Sequence, residues 1–342
     1  MLGRRSIVGL LVACITVFLA ILTGCAGMRG DSGSVPQRVA LKLGTETASQ
    51  SPETRGSQRL ADLVRQKSGG TLVIEVFDNA KLGTMKERDE GMRMGTIDMG
   101  TSSVGFLASY APILGIFDLP YIYQDKAHAL RVFDSEIGKA VDKKLQTEGL
   151  RVICYFDAGA RQITNNRRPI HTPADLKGLR IRVPQTEASV EGFRALGAVP
   201  TALPFGEVVT ALKQNVVEGQ ENPVSLVLYN RFHEVQRYLS MTNHQYFIQV
   251  LTISEKTWRK LAPRHQELLL ECAKEAQEYQ REIVASEERT VLKVLQEKGM
   301  KINEVKNTAE FTELAKPLRR LYIRKLGQPA ADLFERIESL RN

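Results

Sequence analysis

Leu179-Arg180-Ile181-Arg182-Val183-Pro184 alternates apolar and cationic residues with the two-residue period of a half-buried β-strand. Leu179, Ile181 and Val183 share one face and the two arginines the other. Arg182 therefore points away from the core at the strand's carboxyl end, the edge where ligands of open α/β sheets gather. A guanidinium is planar, permanently charged and presents parallel N–H donors, so it suits a carboxylate better than an ammonium does. An arginine on a polar strand face is also an ordinary solvated residue. Reaction chemistry has no comparable signal. The five histidines and four cysteines form no H-E-x-x-H and no paired C-x-x-C, and the chain has no G-x-S-x-G elbow and no Walker loop. His171, His233 and His244 are scattered. The expectation is binding without catalysis, with no cofactor and no metal.

The first residues bear on where such chemistry takes place. Arg4 and Arg5 precede an apolar run from Ile7 to Leu22 that ends in Leu22-Thr23-Gly24-Cys25. That is the layout of a signal peptide, with small residues before the cysteine as a lipoprotein signal peptidase requires. Residues 1–24 are read as the signal, Cys25 as the lipid-acylated first residue of the mature protein, and 25–37 as a Gly/Ser-containing tether. A single membrane-spanning anchor is the competing reading of the run. The expected location is extracytoplasmic, periplasmic and lipid-anchored to a membrane.

Of the 342 residues, somewhat over 300 then remain, enough for two packed domains. The formal charge of +8 includes Arg4 and Arg5, which leaves +6 on the mature part, without a Lys/Arg run long enough to suggest nucleic acid. A mild positive balance is compatible with an anionic ligand. Cys154, in a strand-like stretch from Arg151 to Phe156, and Cys272, on an apolar helix face, read as buried thiols, with a disulfide between them allowed by the compartment.

The elements that must position the site alternate. A strand carries Val39, Leu41 and Leu43, and a helix from about Glu53 to Lys67 buries Leu60, Leu63 and Val64. Thr71 to Phe77 is β-rich, a short helix reaches Met94, and Ile97 to Met99 is a third strand. Thr172-Pro173-Ala174-Asp175 caps a short helical turn ahead of the Arg182 strand. Pro263 to Lys298 is one long helix with Leu269, Cys272, Ala276, Tyr279 and Ile283 on a stripe, on the order of 50 Å at about 1.5 Å per residue. It reads as a strut crossing both domains.

Three segments in this order carry a resemblance: Gly159-Ala160-Arg161-Gln162-Ile163-Thr164-Asn165, Asp175-Leu176-Lys177-Gly178 leading into Leu179 to Pro184, and Glu218-Gly219-Gln220-Glu221-Asn222-Pro223. Phe117-Asp118-Leu119-Pro120-Tyr121 supports them. From about Ala40 to Glu338 the chain resembles the solute-binding proteins of tripartite ATP-independent periplasmic (TRAP) transporters. The resemblance implies an α/β periplasmic-binding-protein fold, a two-domain clamshell with a long helix spanning both domains. Domain I is expected at 38–158 plus 248–287 and domain II at 159–247 plus 288–342. It implies that Arg182 pairs with a ligand carboxylate, that Arg161 and Asn222 contact the ligand, and that Phe205 walls the pocket. Gln185 follows Pro184 where similar proteins place a polar contact; it reads equally as a helix-start residue, and Asn222 before Pro223 equally as a turn.

The loop from Gly44 to Gln50, with Glu46, and the pair Ser102 and Ser103 fall where similar proteins line the cleft. An inward Glu46 repels a second ligand carboxylate and accepts hydrogen bonds from hydroxyls; an outward one is a solvated loop residue. The favoured ligand is a sugar acid such as a uronate or aldonate. A C4-dicarboxylate or keto acid bound by the same system, or service as the ligand-binding subunit of a sensor, is the alternative. Similar proteins that bind sialic acid carry acidic residues in the segments matching Thr84 to Lys86 and Ser102 to Ser103, which this chain lacks. The implied partners are a small organic acid anion, the small and large TRAP membrane subunits, and the membrane itself through the lipid anchor, with the protein a monomer.

Overall fold

The computed structural model describes residues 38–341, so the expected signal peptide, Cys25 and the tether lie outside the described residues. The chain builds nine strands: β1 (Val39–Gly44), β2 (Leu72–Phe77), β3 (Met99–Ser103), β4 (Leu150–Asn165), β5 (Arg180–Val183), β6 (Val199–Ala202), β7 (Gly219–Pro223), β8 (Tyr238–Ser254) and β9 (Lys301–Glu304). They form one sheet in the order β2-β1-β3-β8-β4-β7-β5-β6, with β9 beside β8. Strands β1 with β2 and β3, and β5 with β6 and β7, are parallel, as the strand and helix alternation requires. The long strands β4 and β8 run antiparallel from Leu150 opposite Ser254 to Asn165 opposite Tyr238.

These two strands serve both halves of the sheet. β3 pairs with the Gln249–Ile253 end of β8, and β7 pairs with the Arg161–Asn165 end of β4. The sequence shows two pieces here, Arg151 to Phe156 and Gly159 to Asn165; the structure joins them into one strand. The third strand begins at Met99, where the reading above ended it. Asp98 is held before it by the Lys42 N–H at 2.9 Å and the Thr257 hydroxyl at 2.9 Å.

The core is divided. One cluster packs Leu60, Leu63 and Val64 against Leu269, Cys272 and Ala276 of the long helix Pro263–Glu297. Farther along, the same helix delivers Val291 and Leu295 to a second cluster with Val208 and Leu239. It is the expected strut, except that Tyr279 is exposed and Gln280 occupies the buried stripe. Cys154 and Cys272 are buried free thiols, without the disulfide. The C-terminal helices Ala309–Leu326 and Gln328–Glu338, expected with domain II, pack on both sides: Ala315, Leu318, Phe334 and Ile337 join the cluster of Leu107, Val132 and Leu150, while Phe311 joins that of Ile163, Ile181 and Phe193.

Gln280 bonds the backbone of β4 at one of its slips in register. The register with β8 slips between Asp157 and Gly159, where Gly159 has φ of +89°, a conformation glycine reaches without the Cβ penalty. The backbone N–H and carbonyl of Asp157, beside this slip, are bonded by the Gln280 amide. The Asp157 N–H donates to Oε1 at 2.9 Å, and Nε2 donates to the Asp157 carbonyl at 2.6 Å. The Asp157 carboxylate accepts from the Gly159 N–H at 2.8 Å and sits 2.5 Å from the Lys126 ammonium, a charge contact outside hydrogen-bonding angles. Gln280→Met preserves volume and strands one buried donor and one buried acceptor. It is expected to lower the unfolding free energy by about 2 to 4 kcal/mol in urea titrations; an unchanged midpoint would show that the bulge is satisfied otherwise.

Candidate functional site

At the carboxyl ends of β1, β3 and β5, where the two halves of the sheet meet across β4 and β8, lies a cavity of about 730 Å³ including its open mouth. Arg182 enters from β5, Arg161 from β4 and Asn222 from β7, with Phe205 and Gln185 from the loops beyond. Glu46 and Thr47 follow β1, Ser103 ends β3, and Gln245, Phe247 and Gln249 project from one face of β8 at the two-residue period.

The two arginines differ in charge balance. Arg161 is buried and internally neutralised. Its Nε lies 2.5 Å and its Nη2 2.7 Å from the Glu221 carboxylate, Nη2 also reaches the Glu221 carbonyl at 2.8 Å and Asn222 Oδ1 at 3.1 Å, and the guanidinium lies 4.5 Å from the centre of the Phe247 ring. Glu221 also accepts from His244 Nε2 at 3.1 Å, while the Thr242 hydroxyl meets His244 Nδ1 at 2.9 Å. Burial opposes the Glu221 charge, but Arg161 and the hydrogen bonds from His244 and Arg161 outweigh it and hold the carboxyl down at about 2. Burial keeps the His244 imidazole below its usual range.

Arg182 has no such counter-ion. It is 3% exposed, its Nε and Nη2 donate to the Leu203 carbonyl at 2.9 and 2.6 Å, and it forms no ion pair among the described residues. Burial pushes its guanidinium down to about 10, so the group remains charged at neutral pH. Two donors bound to one carbonyl fix the plane of the fork and leave Nη1 to the cavity.

The opposite wall is acidic. Glu46 faces in and accepts from the Met85 N–H at 3.3 Å, and burial raises its carboxyl. Glu53, buried in the first turn of the helix Pro52–Lys67, accepts from the Thr47 hydroxyl at 2.9 Å and from Thr101. Asp118 is buried beside Ser103, and burial lifts it to about 6.

Of the expected contacts, Arg182, Arg161, Asn222, Phe205, Gln185, Glu46 and Ser103 all line the cavity. Ser102 does not: strand alternation turns it to the other face of β3, where its hydroxyl donates to Asp89 at 2.8 Å. Gln185 is not a helix start, because Thr186 caps that helix. Asn222 belongs to a strand, not a turn, and Phe205 walls the cavity while packing edge-on against Phe232 at 5.8 Å. Glu53, Asp118 and the β8 residues escaped sequence reasoning. Asp118 stood in a quoted motif, and β8 offered a readable alternation of Gln245, Phe247 and Gln249.

The chain and its fold are similar to those of known proteins. Residues 43–325 match the family described as bacterial extracellular solute-binding protein, family 7. A 2,3-diketo-L-gulonate-binding periplasmic protein of Escherichia coli is 32% identical over 317 residues, 92% of this chain and 96% of that protein. A TRAP periplasmic solute-binding protein of Haemophilus influenzae with bound L-gulonate superposes with a TM-score of 0.85 at 29% identity, covering 89% of this chain and 100% of the other. One from a Polaromonas species, bound to D-erythronate, gives 0.85 at 30% identity with the same coverage.

A carboxyl held below its ordinary value stabilises the fold above that value and ceases to do so as pH falls. For Glu221 the loss runs from about 4.5 down to about 2. Glu221→Gln leaves Arg161 buried without its counter-charge and is expected to cost about 3 to 5 kcal/mol at pH 7. The gap from the parent protein should narrow as pH falls through that window in chemical denaturation; a constant gap would place the effect in packing instead.

Proposed function

We propose that this chain, which belongs to family 7 of the bacterial extracellular solute-binding proteins and is a TRAP-transporter solute-binding protein of two-domain α/β fold, captures a hydroxylated monocarboxylate and presents it to the small and large membrane subunits. The favoured class is a sugar acid, a uronate or aldonate. One observation carries this choice: the cavity holds one buried cation without an ion pair, Arg182, together with the carboxyl groups of Glu46, Glu53 and Asp118, while the other unpaired cation lining it, Lys86, is exposed. A monoanion satisfies Arg182, and hydroxyl hydrogens satisfy the acids. A second ligand carboxylate would meet like charge in a place sheltered from water. The gulonate- and erythronate-bound relatives support the same class.

Binding alone is the mechanism. The carboxylate docks on Nη1 of Arg182, Arg161 and Asn222 complete its cradle, and Phe205 and Phe247 cover the carbon chain. Ligand contacts to both walls then favour the closed arrangement, a population shift with no bond made or broken. We place the boundary of the two domains at the β4 bulge, near 158 and 159, and at 247 and 248 on β8. The protein acts as a monomer, extracytoplasmic and tethered through lipid on Cys25, a reading supported by the Leu22-Thr23-Gly24-Cys25 sequence.

Arg182→Ala is expected to weaken sugar-acid binding by about 3 to 5 kcal/mol in calorimetry, because a buried carboxylate loses its partner. Less than a tenfold loss would remove Arg182 from the anion site. Cys25→Ser is expected to abolish acylation, read as loss of the lipid mass increment and release of the protein from the membrane fraction; retention on membranes would point to another anchor.

A further inference from the structure

Asp118 is 7% exposed, lines the cavity and forms no ion pair among the described residues. Its protein partners are the Ser103 hydroxyl, 3.1 and 3.4 Å from its two oxygens, and the Gly105 N–H. A carboxylate has about four lone-pair positions, so these two donors leave acceptor capacity unused. The chain accommodates this group at a cost. A Cβ on Gly105 would fall 2.0 Å from Asp118 Cγ, so the loop after β3 is restricted to glycine to seat the carboxylate. A buried carboxylate without a cation is expensive unless donors reach it. The charged and titratable groups acting on it are Arg161, which favours its ionised form, and Glu221, which opposes it; Tyr123 and Tyr322 face it from the packed shell.

We propose that Asp118 is the residue that selects hydroxyl over carbonyl on the ligand, accepting an O–H from a sugar acid whose carboxylate rests on Arg182. The proposal rests on the sugar-acid reading above and narrows it to ligands with a hydroxyl, not a keto oxygen, at the carbon facing Asp118. An ionised carboxylate is acceptor-only and repels a carbonyl oxygen; once protonated it donates and tolerates one. Burial lifts Asp118 to about 6, so selectivity should be strongest well above that pH and fade as pH falls through it and the unliganded carboxyl takes up its proton.

The test uses calorimetry at pH 7.5 and pH 5 on the full mature protein with L-gulonate, D-gluconate and D-erythronate, and with keto derivatives of each. For the preferred aldonate, the ratio of its affinity to that of its most disfavoured keto derivative is expected to fall at least tenfold between the two pH values. In Asp118→Asn the ratio should be small and flat with pH, while both proteins melt at similar temperatures at each pH. A pH-independent ratio in the parent protein, or a parent-like ratio in Asp118→Asn, overturns the proposal. Arg182→Ala separates the two readings: it should weaken hydroxy and keto acids alike, and failure of every one of these acids to bind the parent protein would bring down the sugar-acid assignment itself.

Discussion

An unpaired guanidinium inside a protein is the constraint around which this molecule is arranged. Arg161 and Arg182 share one cavity, and only Arg161 owns a counter-ion, Glu221, which His244 also holds in place. Had Glu221 been placed between the arginines, neither would offer a full charge to a visitor. The direct ion pair of Glu221 goes to Arg161 alone, and Arg182 feels its charge only from a distance. The Leu203 carbonyl, binding two donors of Arg182, orients that guanidinium without cancelling its charge, since a carbonyl supplies a dipole where Glu221 supplies an ion.

This arrangement needs a frame that brings distant segments together, and the shared sheet provides it. β5, β4 and β7 place the two arginines and Asn222 side by side, while β1, β3 and the loop after it hold the acids opposite. The long helix seals one apolar cluster at each end, so the halves of the sheet fold as neighbours though each has its own core. The division of charge thus follows the division of the fold.

Much of this was legible in the chain. The alternation from Leu179 to Val183 placed Arg182 correctly because a two-residue period leaves no freedom once one face is apolar. The long helix was readable from its stripe, yet Tyr279 was chosen where Gln280 is buried, since hydropathy favours a phenol over an amide and cannot see a bulged backbone in want of partners. Ser102 and Ser103 looked equivalent, and only the strand's starting register separates them. Asp118 and Glu53 were invisible as site residues because nothing local distinguishes a carboxylate facing a cavity from one facing water. The C-terminal helices show the complementary case: their amphipathic pattern shows that a face is buried but not against what.

The bulge at Asp157 and Gly159 sits on the very strand that carries Arg161, two residues farther on. Gln280 therefore anchors this strand at its slip in register. A helix residue that does not line the cavity is thereby joined to the Arg161–Glu221–His244 assembly through four residues of continuous strand.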